Sequence, residues 1–287
     1  MEFLVILIAW AVARHIELSP NWRRDGWLAA WRARGSAVFA ALPLAPRLFA
    51  ICLLPCLLVA LLEWLFALRW AGILLFALEL AVLLYSIGQT DFRARLGQYL
   101  ACWQRGDYEA AYQEAIRLFG LEPAAAVESP AELHALVRKR LLYQAFTHWF
   151  AVVFWFYFLG PWAALFYRIL QLTLAQPCSE PERALIRQWL LWIEWLPARM
   201  LGLAFAVTGN FAGCIAAWRG LLAGFTPAAE LLPRYAEHAL DAATARADLD
   251  GPQYSVRAAQ ELHELDGLLA RSAIAWLVMF ALLQMLR

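Results

Sequence analysis

The chain has 287 residues, of which 63% are hydrophobic and only 16% charged. A soluble domain carries about half apolar residues and keeps a charged exterior, so apolar surface on this scale has to meet lipid. A net charge of +1 offers no basic field for nucleic acid, and the five cysteines form an odd set with neither a disulfide framework nor a zinc spacing.

Residues 1–47 read as an apolar helix followed by an amphipathic one. Residues 2–13 supply about a dozen apolar positions, short of the ~20 that cross a bilayer, so this helix is expected in the interface or packed on other spans. No basic n-region or cleavage site precedes it, which argues against a signal peptide. Residues 20–47 interleave tryptophans with Arg23, Arg24, Arg32, Arg34 and Arg47, the composition of a helix lying on anionic headgroups at the cytoplasmic face.

Residues 48–88 predict a transmembrane hairpin, with spans at 48–67 and 71–87 turning at Leu68, Arg69 and Trp70. Pro55 can be carried inside the first span if a neighbour satisfies the carbonyl it frees. Residues 89–140 turn polar, with apolar residues at helical spacing and breaks at Gly106, Gly120, Pro123 and Pro130. Ser129 before Pro130, with Glu132 three residues on, marks a helix start. Arg93, Arg95, Arg105, Arg117, Arg138, Lys139 and Arg140 assign this segment to the cytoplasmic side.

Residues 141–223 are expected to be membrane-embedded. Within them, 145–168 is either one kinked span or the two arms of a re-entrant hairpin turning at Gly160; Arg168, Arg183 and Arg187 favour the second. From 188 to 223, Glu194, Arg199, Gly202, Gly209, Asn210 and Gly213 interrupt the apolar run and point to a span buried among others or an interfacial helix pair. Residues 224–270 predict a polar helical segment and 271–287 a short final span. The fold class is therefore all-α: a polytopic helical membrane protein with amphipathic and cytoplasmic helical segments.

Candidate chemistry is sparse. Glu79, near the middle of its span, is a candidate buried contact, proton site or ligand site, whereas Glu63 can snorkel or pair near Arg69. Glu194 and Arg199 in WIEWLPAR form the best local constellation: a new helix starting at Pro197 would let Arg199 pair with Glu194 or hold a phosphate. Asp107, Glu109 and Glu114, like Asp241, Asp248 and Asp250, alternate with arginine as solvated helix faces do. His134, His238 and His263 read as surface or capping residues, and His148 has no ligand-type neighbour at i+3 or i+4. Cys52 and Cys56, at i and i+4 in an apolar run, read as packing. No P-loop, GxGxxG, HExxH or nucleophile elbow occurs, so no catalytic residue, metal or cofactor is assigned.

Five blocks in order carry a family resemblance: the Trp/Arg stretch at 20–34, SIGQTDFRARLGQYLACWQRGDYEAA at 86–111, AVVFWFYFLGPWAALFYRILQ at 151–171, WLPARMLGLAFAVTG at 195–209, and GPQYSVRAA at 251–259. Together they resemble the AmpE/CobD superfamily of bacterial membrane proteins. One branch is a cobalamin-biosynthesis synthase that uses ATP; the other, AmpE, is associated with regulation of chromosomal β-lactamase and with cell-wall recycling. The synthase branch has a Glu-Asn-Thr-x-Asp-Gly cluster before its aromatic span, and this chain has Tyr143, Gln144, Ala145, Phe146, Thr147 and His148 there. Chemistry on magnesium-bound ATP needs carboxylates at such a site, so the resemblance points to the AmpE branch.

The resemblance implies a multi-pass regulatory protein of the bacterial inner membrane, and the arginines on either side of the first hairpin place the N-terminus in the cytoplasm. Besides the lipid bilayer, the partner it implies is a cell-wall amidase or another membrane protein. Arg199 and Asp107 would then be scaffold or would bind a retained ligand. The rival is a membrane ligase or transferase of the synthase type, with Arg199 on phosphate and Glu79 or Glu194 as acid or base.

Overall fold

A computed structural model describes residues 2–15, 25–68, 72–87, 92–120, 129–221, 224–240 and 251–286. Arg23, Arg24, the turn at Arg69 and Trp70, Pro123, Asp241, Asp248 and Asp250 lie outside the described residues, as do the side chains of Arg93 and Arg95. Every element among the described residues is helical. Four helical stretches are long and apolar enough to cross a membrane: Leu44–Leu68, Pro130–Leu159, Glu180–Thr208 and Val256–Met285. The chain divides into two compact units, the first built from residues 1–88 and 148–194 and the second from 89–147 and 195–286.

In the first unit, α1 (Glu2–His15) buries Val5, Ile6 and Ala9 and packs on α4 (Gly72–Ser86). The short apolar helix is thus placed on other helices, one of the two positions its length allows. The amphipathic helix α2 (Gly26–Val38) packs on α3 (Leu44–Leu68). Pro55 sits inside α3 and has no N–H to give the carbonyl of Ile51, four residues before it. The indole Nε1 of Trp31 in α2 donates to that carbonyl at 2.9 Å. A second tryptophan, Trp27, donates from Nε1 to the Tyr85 hydroxyl of α4 at 2.8 Å, and Tyr85 in turn donates to Asp25 at 3.1 Å. Two tryptophans thus pin α2 to α3 and α4 through neutral hydrogen bonds.

The aromatic run resolves into α7 (Pro130–Ala145), a wider π turn over Phe146–Phe150, α8 (Ala151–Leu159) and α9 (Pro161–Ala175). Gly160 between α8 and α9 has φ +90°, a region that favours glycine, and Pro161 starts α9. α8 packs on α9, so the chain doubles back at Gly160. The helical run that leads into this turn begins at Pro130, and Pro130–Leu159 is by itself long and apolar enough to cross a membrane. The Ser129 Oγ accepts from the Glu132 N–H at 3.3 Å with Pro130 in the first turn, as the local sequence predicts.

In the second unit, α5 (Phe92–Gln104) and α6 (Tyr108–Phe119) pack as a pair, separated by Gly106, and Gly120 at φ +62° ends α6. The helix α10 (Glu180–Thr208) runs unbroken through Pro197. That corrects the expected helix start there: in an apolar setting, breaking the helix would orphan several carbonyls where one proline orphans one. α11 (Phe211–Leu221) and α12 (Ala228–Leu240) pack together. Gly202 in α10 explains one interruption of the apolar run, since a Cβ there would lie 2.5 Å from the Tyr235 ring of α12. The final helix, α13, extends from Gly251 to Met285, so the last apolar segment is the end of one long helix and not a separate short one.

Candidate functional site

Glu194 and Arg199, the constellation the sequence singles out, are both buried, at 4% and 2% exposure. Glu194 Oε1 accepts from the Tyr167 hydroxyl at 2.8 Å and from Gln171 Nε2 at 2.8 Å, both on α9. Gln171 also donates to Tyr167 at 3.1 Å, closing a triangle that holds α10 to α9 inside the first unit. In the second unit, Arg199 donates to the Trp195 carbonyl at 3.0 Å and to the Gly224 carbonyl, and its guanidinium lies 4.2 Å from the centroid of the Trp195 ring. The Trp218 indole donates to the Arg199 carbonyl at 2.9 Å. With α10 continuous, Arg199 does not sit at the start of a helix; its guanidinium braces the segment around Gly224.

Asp107 is exposed and caps α6, its Oδ1 accepting from the Ala110 N–H at 3.0 Å. It works as a helix cap, with the carboxylate also suited to the helix dipole. Glu79 is buried in α4 at 8% exposure, and its Oε2 has no hydrogen-bond partner among the described residues. Of the four named residues, Glu79 and Glu194 belong to the first unit and Asp107 and Arg199 to the second.

A buried ionic cluster that the local pattern does not announce joins His134, Arg138, Glu237 and Glu261. His134, read from the sequence as a surface or capping residue, is 1% exposed, and its Nε2 lies 3.1 Å from Glu261 Oε2. Arg138, one turn further along α7, donates from Nη1 to Glu261 Oε1 at 2.8 Å and from Nη2 to Glu237. Glu261 is 2% exposed and so bridges two cationic-type partners from within the α13 helix. The Trp103 ring of α5 stands 5.9 Å from the His134 ring. One cluster thus links α7, α12 and α13, all in the second unit. The signal that could have found it is His134 and Arg138 at i and i+4, on the face shared with the buried Leu133, Val137 and Leu141.

Two further buried groups bear on reactivity. Cys214 is 0% exposed, and burial pushes the Tyr235 phenol up to about 12. Cys214 Sγ lies 3.6 Å from the Gly202 carbonyl oxygen and 3.7 Å from that of Tyr235, so the thiol fills the space between α10, α11 and α12. Where the synthase branch carries its acidic cluster, this chain forms the π turn, with Thr147 donating to the Gln144 carbonyl at 3.3 Å.

The helices and their polar contacts define an all-helical membrane protein with several apolar spans. Residues 1–283 match the family model described as regulatory signalling modulator protein AmpE, and the chain belongs to that family. No curated protein and no solved structure matches it.

Proposed function

We propose that the protein is a contact-based regulator of the bacterial inner membrane, linked to β-lactamase induction and cell-wall recycling. In this reading it is multi-pass with its N-terminus in the cytoplasm, and it relays envelope state to a cell-wall amidase or another membrane protein. The observation that supports it is how the buried ionic groups are used: Glu194 is held by Tyr167 and Gln171, Arg199 by two carbonyls, and Arg138 by two carboxylates. Groups committed to contacts within the fold, helix to helix for Glu194 and Arg138 and helix to connecting segment for Arg199, suit a surface that is read by another protein. Acid-base or phosphate chemistry would need them turned toward a substrate. The family's description as a signalling modulator points the same way.

The test is a strain lacking the protein, assayed for β-lactamase activity with and without inducer and for its muropeptide profile. Altered induction or altered muropeptides is expected. Wild-type behaviour in both would contradict the proposal.

A further inference from the structure

A cleft of about 420 Å³ lies in the first unit where α2, the start of α3 and the α9–α10 connection meet. Its volume is within the range of about 300–1,000 Å³ common for small-molecule sites. Its polar lining is Arg32, Ser36, Arg47, Gln176 and Glu182. Two guanidiniums against one carboxylate leave the lining one positive charge in excess. Arg32 is fixed in place: it donates to Gln176 Oε1 at 3.3 Å, lies 3.8 Å from Glu182 and is 14% exposed. Arg47, in the first turn of α3, has no side-chain hydrogen bond or ion pair among the described residues. The cleft therefore presents one anchored cation and one whose donors meet no partner among the described residues, a pair suited to a phosphate.

What surrounds the cleft argues for a lipid as the source of that phosphate. α3 is an apolar span with only 28% of its apolar window buried, and Phe49, Leu54, Leu57, Leu58 and Leu61 are exposed along it. Arg47 stands two residues before Phe49, at the end of this ridge. A cationic cleft at the polar end of a lipid-facing helix, walled by an amphipathic Trp/Arg helix, lies at headgroup depth. We infer that this cleft binds the phosphate of an anionic phospholipid headgroup, with Arg47 and Arg32 holding the phosphate and the acyl chains running along the exposed face of α3. The inference does not rest on the regulatory reading.

The experiment is native mass spectrometry of the full-length protein in detergent, titrated with short-chain phosphatidylglycerol, with diacylglycerol, or with inorganic phosphate. Wild-type protein is expected to retain phosphatidylglycerol and not diacylglycerol. Arg47→Gln is expected to weaken retention at least fivefold, while Arg187→Gln, exposed and outside the cleft, leaves it unchanged. Equal retention by Arg47→Gln and wild type would overturn the site. Inorganic phosphate competing as well as the lipid would overturn the lipid as the source. Should Arg47→Gln fail to fold, a benzophenone amino acid at Ser36 in the otherwise unaltered protein is expected to crosslink phosphatidylglycerol in vesicles. Absence of that crosslink would equally overturn the proposal.

Discussion

The contact between α2 and α3 and the cluster joining α7, α12 and α13 solve the same problem in opposite ways. In the first, a carbonyl orphaned by Pro55 receives the neutral Trp31 indole at 2.9 Å. In the second, Arg138 is held by the buried Glu261 and the half-buried Glu237, and Glu261 also meets His134. A neutral bond loses little when broken, because only one carbonyl is left without a partner. A buried ionic cluster loses much more, because removing one member strands the charge of the others. The difference teaches which segments set stability and which can be retuned.

The largest effect is expected at Glu261. Glu261→Ala leaves Arg138 short of a carboxylate and removes the Glu261 contact of His134, and should cost on the order of 3–5 kcal/mol. Thermal unfolding in detergent, followed by the helical signal, should show a large drop in Tm. Gly202→Val comes next, because its branched side chain would have to share space with the Tyr235 ring 2.5 Å from the Cβ position; overpacking of this kind costs about 1–3 kcal/mol. Trp31→Phe keeps the ring but removes the donor, and should cost about 1–2 kcal/mol by the same assay. A Trp31→Phe loss equal to that of Glu261→Ala would break the comparison. Ser129→Ala removes an N-cap and should cost about 1 kcal/mol.

The smallest expected effect is a null one in pH. Cys214 is 0% exposed, so its labelling is expected to be limited by access from pH 6 to 9 and not to follow pH. Maleimide labelling of the folded protein at pH 8 should spare Cys214 and reach it on denaturation. Rapid labelling of the native protein would show that α11 opens.

Much of the fold is legible in the sequence because its signals are local. The apolar run gives α3, the Ser-Pro-x-Glu pattern gives the start of α7, and the glycines at 106, 120 and 160 mark the reversals. Pro197 misleads, because a proline is a break in water but a tolerable loss of one hydrogen bond inside an apolar helix. The polar contacts are less legible. His134 looks like one of several scattered histidines until Glu261, 127 residues away in sequence, is brought to it. The pattern does mark Glu194 and Arg199 as unusual, yet their partners, Tyr167, Gln171 and Gly224, come from other elements, and no spacing rule reaches that far.

The central claim is that the protein works by contacts and not by acid-base chemistry, and complementation of a deletion strain tests it most directly. A variant combining Glu79→Gln, Asp107→Asn and Glu194→Gln keeps the shape of each side chain and removes every carboxylate the sequence offers as a site. If regulation is by contact, this variant, expressed at wild-type level, restores β-lactamase induction to the wild-type response. Folded, normally abundant variant that fails to restore it would contradict the account and return one of these carboxylates to a chemical role.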